Sequence, residues 1–268
     1  MSATKIYIVQ MIILIVIPVL FFLGSQIVKD KKASENLKIK KTLYVTIIIG
    51  IASVLLLPPI QDYMMLLKIR IPENAIDLLV LEEFSFSILY TIIGFLLIWK
   101  EQDILKIFFD ETALKDSKKF IIKTFCAITI LFSLLSYLKY HTNILEPSII
   151  RKELSVFTAS SPLIFLNIFG SIILAPFGEE VIFRGIIYSE IRPISTKLAA
   201  IISSFMWALI HPFSIGGYIG IILLGIFLAY SYNRTKSLIV PIGIHSIQNA
   251  SIDLGQVTKY LSLNYTGQ

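Results

Sequence analysis

The sequence predicts an all-α fold: a polytopic membrane helix bundle with about eight transmembrane helices. Three observations carry that prediction. Apolar residues make up 56% of the 268 residues and charged residues only 16%, against about 25% charged in soluble domains. Mean hydropathy is +0.80. Charge-free runs of bilayer length recur, among them IYIVQMIILIVIPVLFFLGSQIV (6–28) and LSVFTASSPLIFLNIFGSIILAPFG (154–178), and roughly 20 apolar residues suffice to cross the hydrocarbon core as helix. No internal repeat of fixed period is visible. The length accommodates one membrane domain, 1–268, and leaves nothing for a separate soluble one.

Taken in order, the first span, 6–28, exceeds the apolar core of a signal peptide and has only Lys5 ahead of it. It is expected to be a retained helix. Spans 42–60 and 216–233 are equally clear. Span 84–99 is short, 120–139 contains Lys123, 160–178 runs into two glutamates, and 197–211 and 237–255 carry polar residues. Pro176 and Gly178, just ahead of the glutamates, are expected to break or tilt the fifth span. Segments 61–83 and 100–119 are too long and mixed for simple turns. The second has apolar residues at 104, 105, 107, 108 and 109 and fits either a short helix at the membrane interface or a solvated linker. Segment 141–158 reads as an external loop with Pro147 as a breaker.

Loop charge orients these spans. The segment 29–41 alone holds six lysines, and the loops on its side hold sixteen Lys and Arg in all, against seven on the other. Lys and Arg collect in cytoplasmic loops, so both termini are expected on the extracytoplasmic side, in a bacterial plasma membrane. The same bias accounts for the net charge of +6 without a nucleic-acid partner; the lipid bilayer is the expected surrounding. The single cysteine, Cys126, excludes a disulfide framework and is expected to be buried or lipid-facing.

Polar groups inside such spans are costly and tend to face a bundle interior or a wet cavity. They gather late in the chain. Glu179, Glu180 and Arg184 follow the fifth span, His211 ends the sixth, and His245, Gln248, Asn249 and Asp253 lie in the eighth. The remaining histidine, His141, is expected at the surface. Helical neighbours lie three or four residues apart. Glu180 can therefore share a face with Arg184, Trp207 with His211, and His245 with Asn249. Each pair alone is open to a bland account, an intrahelical ion pair or hydrogen-bonding glue between helices. Together, on three spans otherwise almost free of such groups, they suggest one shared pocket.

These residues also form three motifs. Glu179-Glu180-Val181-Ile182-Phe183-Arg184 reads E-E-x-x-x-R, Trp207 to His211 stands where F-x-x-x-H would be expected, and His245 to Asn249 reads H-x-x-x-N. In order and approximate spacing they resemble the CAAX protease and bacteriocin-processing (CPBP, or Abi) family of intramembrane endopeptidases, over about residues 160–255. Trp207 for phenylalanine is a departure that keeps an aromatic side chain. The resemblance implies proteolysis inside the membrane, on a peptide or lipidated membrane-protein substrate, in peptide maturation or bacteriocin self-immunity.

It also implies roles. A carboxylate held away from bulk water holds a proton more readily and can act as base and then acid; Glu179 is the candidate. His211 would hold the attacking water. His245 and Asn249 would donate to the tetrahedral oxyanion. Glu180 would orient the site, with Arg184 as its partner. No cofactor is favoured. Zinc, bound by Glu180, His211 and His245 with a position open for water, is the alternative, although the H-E-x-x-H helix of common zinc proteases is lacking. Two other readings remain: a non-catalytic immunity or scaffold protein using the same pocket, and a transporter moving protons or a cation through its intramembrane carboxylates.

Overall fold

A computed structural model describes residues 76–98, 108–141, 161–211 and 215–266. Their regular structure is entirely helical. Helix α1 is Ile76–Ile98, α2 is Glu111–Asp116 and α3 is Lys118–His141. Helix α4 is composite, covering Ser161–Phe169, a π-helical stretch Gly170–Leu174, Ala175–Glu180, a second π stretch Val181–Tyr188, and Ser189–Ile191. Then follow α5, Thr196–Leu209, α6, Ile215–Thr235, and α7, Ile239–Thr266. The expected spans 6–28 and 42–60 lie outside the described residues. Each of the other six falls on one of α1 and α3 to α7. Among the described residues two helices are long and apolar enough to cross a membrane, Lys118–Lys139 and Pro162–Ile191.

Short-range chemistry sets the boundaries. Asp110 caps α2: its Oδ1 accepts from the Ala113 N–H at 3.0 Å, satisfying a donor that a helix start leaves orphaned. Ser195 does the same for α5 through the Leu198 N–H. Lys236, with φ 52°, ends α6 in the left-handed conformation common just past a helix, and its N–H bonds Tyr232 O at 2.7 Å. Pro241 sits in the first turn of α7, where its missing N–H costs nothing.

Helix α4 differs from expectation. It does not break near 178 but continues to Ile191. The reason lies in the backbone. Widening by one residue per turn before Pro176 relieves the clash of its ring with the preceding turn, and a side chain of α7, Asn249, takes the Ser171 carbonyl that the proline leaves without an N–H. Such rescue is how membrane helices tolerate proline.

The chain divides into two compact units. Of the described residues, one contains 76–98, 108–141, 161–182 and 231–266; the other contains 183–211 and 215–230. In the first, α1 packs on α4, α4 packs on α7, and α3 runs along α7. The α1–α4 approach is close at Gly178, and the α3–α7 approach at Gly243, which faces the Phe125 ring. Helix α3 turns Ile130, Leu134 and Tyr137 outward, an apolar face of the kind a bilayer covers. Cys126 is exposed on that helix. His141 closes α3 rather than lying in a loop; it is exposed, stacked on Tyr137 and bonded to Thr258.

Candidate active site

The charged part of α4 is also its most buried part. Phe165 is two-thirds exposed, whereas Glu179, Glu180 and Arg184 have relative exposures of 6%, 0% and 0%. A buried carboxylate needs partners, and in the first unit α7 supplies one. His245, itself 2% exposed, reaches both glutamates. Its Nδ1 lies 3.1 Å from Glu180 Oε1 and its Nε2 lies 3.9 Å from Glu179 Oε2. The first distance is a hydrogen bond. The second is too long for one and leaves Glu179 in ion-pair range without tying its proton position to the imidazole.

This geometry constrains protons. If Glu180 is ionised it can only accept, so Nδ1 carries hydrogen and Nε2 of a neutral ring is an acceptor. For Nε2 to donate, the ring must hold both protons, or Glu180 must itself be protonated. In a neutral ring Glu180 thus decides which chemistry His245 offers at the nitrogen facing Glu179.

Asn249 lies one turn further along α7. Its Nδ2 donates to Ser171 O at 2.8 Å, in the first π stretch of α4. Thr91 of α1 donates to another carbonyl of that stretch, Leu174 O, at 2.8 Å. Phe177, between Pro176 and Gly178, stacks on Phe108 at 5.4 Å between centroids, and Ser237 Oγ donates to Phe108 O.

In the second unit Arg184 and His211 share Trp207. The Arg184 guanidinium carbon lies 4.8 Å from the centre of the indole ring, a cation–π contact, and Nη2 donates to Gly225 O at 3.1 Å. Gly225 permits that approach: a Cβ there would meet Ser204 Cβ at 2.7 Å and Arg184 Nη2 at 3.1 Å. The His211 ring stands edge-on to Trp207 at 5.4 Å, and its Nδ1 lies 2.9 Å from Trp207 O. A carbonyl only accepts, so Nδ1 carries the hydrogen and Nε2 of the neutral ring keeps the lone pair. Tyr218 donates to His211 O at 2.8 Å and fixes the backbone there.

The structure therefore brings Glu179, Glu180 and His245 together, with Asn249 beside them on α7, and separately groups Arg184, Trp207 and His211. His245 is a neighbour of Glu180 that the sequence reading did not pair with it. Thr91, Ser171 and the Gly225 carbonyl were not foreseen. Pro176 inside a helix was the available signal for Ser171, since it must orphan a carbonyl one turn earlier. Residues 161–251 match the model of a protein family described as type II CAAX prenyl endopeptidase, Rce1-like. No curated protein and no solved structure matches the chain.

Proposed function

We propose, from the match of residues 161–251 to the type II CAAX prenyl endopeptidase Rce1-like family model, that this chain hydrolyses a peptide or lipidated-protein substrate by glutamate-activated attack of water. The observation that supports the reading best is the buried Glu179–His245–Glu180 cluster: two carboxylates of one apolar helix, with the two nitrogens of one imidazole against them.

Glu179 takes a proton from water, the resulting hydroxide adds to the scissile carbonyl, and the same carboxyl returns the proton to the leaving amine. His245, with a hydrogen on Nε2 because its ring holds both protons or Glu180 is protonated, and the second Nδ2 hydrogen of Asn249 stabilise the oxyanion, since a carboxamide nitrogen has two hydrogens and Ser171 engages one. Glu180 keeps the His245 ring in orientation. His211 is assigned the water through the lone pair of its Nε2; that role rests on the family motif. A lone-pair nitrogen would equally suit zinc, so the metal-free route needs its own control.

The test uses full-length protein in liposomes with a lipidated CAAX-type peptide and an unmodified peptide. Glu179→Gln should lower kcat by about 10²–10⁴-fold while the protein still inserts and melts normally. Wild-type turnover should survive a zinc chelator. Unchanged cleavage by Glu179→Gln would overturn the glutamate mechanism, and chelator loss reversed by zinc would transfer the water to a metal.

A further inference from the structure

The brace on the first π stretch has a specific origin. Within Gly170–Leu174 the backbone bonds span five residues, and the Ala175 N–H bonds Gly170 O in that register. The next bond would run from residue 176 to Ser171 O. Residue 176 is proline, which has no N–H. The hydrogen that reaches Ser171 O comes instead from Asn249 Nδ2, at 2.8 Å.

We propose that Asn249 is a positioning residue whose side-chain amide replaces the missing Pro176 N–H, and that this bond sets the rotation of α4 that aims Glu179 and Glu180 at His245. Two facts support the coupling. Glu179 and Glu180 follow Pro176 by three and four residues, so the turn that carries them starts where the brace acts. The amide and the imidazole that meets the glutamates lie one turn apart on α7, so one helix holds both the phase of α4 and its carboxylates. Loss of the brace would leave Ser171 O without its donor and let the turn before Pro176 shift register. A shift of one residue rotates everything beyond it by about 100°, the angle per helical residue, which would carry the carboxylates off His245. The role adds to oxyanion donation: the amide has one hydrogen for each.

The consequence is a dependence that a residue acting only on substrate would lack. Pro176→Ala restores an N–H aimed at Ser171 O and makes the brace redundant. With Pro176 in place, Asn249→Ala should lower kcat more than KM changes, and in a Pro176→Ala background that loss should shrink by about tenfold. Melting temperatures of the same four proteins in detergent should be non-additive by about 2 °C or more. Equal fractional losses in both backgrounds together with additive melting would overturn the inference. If Asn249→Ala cannot be purified alone, recovery of the folded protein in the double variant supports the brace, and failure of the double variant where Pro176→Ala folds overturns it. The inference rests on the proposed protease reading for its kinetic arm only. Absence of turnover in every protein, wild type included, counts against that reading, and the melting cycle then decides the brace alone.

Discussion

A neutral histidine held between two carboxylates cannot offer the same chemistry at both nitrogens. Glu180 Oε1 takes Nδ1 at 3.1 Å, so its protonation determines whether Nε2 accepts or donates. Glu180→Gln keeps an oxygen that can accept from Nδ1 but removes the charge; Glu180→Ala removes both. Expected kcat losses are about 10²-fold or more for alanine and distinctly less for glutamine, read from cleavage kinetics in liposomes. Equal losses would mean that charge, and not ring orientation, is what His245 requires. The residue pairs along each helix were legible because helical spacing alone dictates them. The contact between Glu180 and His245 was not, because spacing assigns a side chain to a face without naming the helix that will meet that face, 65 residues away in sequence. The same blindness hid Thr91, a hydroxyl on an apolar helix whose partner is the Leu174 carbonyl, 83 residues away in sequence.

Glycines show at the scale of helices what composition leaves undecided. The sequence pointed to Gly178, with Pro176, as a place where the fifth span would break or tilt, and did not distinguish among the glycines of α6. Gly225 is tightly packed, but a Cβ on Gly220 would meet nothing within 4 Å. Gly178 is the tighter contact: a Cβ there would lie 2.5 Å from Tyr90 C and 2.6 Å from Thr91 N. Those are backbone atoms of α1 and cannot rotate away, so Gly178→Ala forces the helices apart. It should destabilise by about 1–3 kcal/mol, the usual cost of overpacking. Because Glu179 is the next residue, it should also reduce turnover. Gly220→Ala is the control, near neutral in both thermal melting and activity. A Gly178→Ala protein as stable as wild type would mean that the α1–α4 contact is looser than its geometry. Three of the expected spans, 120–139, 197–211 and 216–233, became helices with ends close to those read from hydropathy, while α1 begins eight residues earlier than expected and α7 runs eleven residues further. The fifth did not end where its charges begin, because buried partners made those charges compatible with continued helix.

For the molecule as a whole, the charge distribution still carries the orientation. Removing Arg184 from the loop tally, as its burial requires, leaves the excess of Lys and Arg on the side of 29–41 intact, since six lysines sit in that segment alone. The positive-inside rule weighs such short loops most heavily. The chain's one cysteine is exposed on α3, so Cys126→Ser gives a background in which single cysteines report sidedness. In intact cells a membrane-impermeant maleimide should label Thr142→Cys and spare Ser34→Cys, which should react only after permeabilisation. The reverse pattern would invert the topology. With the expected pattern, α4 enters from the extracytoplasmic side at Ser161 and carries Glu179 past its midpoint toward the cytoplasmic face. A cleavage site presented from the cytoplasm would then have the shorter path to the carboxylates. Inside-out vesicles should accordingly process an added membrane-impermeant peptide substrate faster than right-side-out vesicles of equal protein content, and equal rates would show that substrate reaches Glu179 by a route indifferent to sidedness, such as lateral entry from lipid.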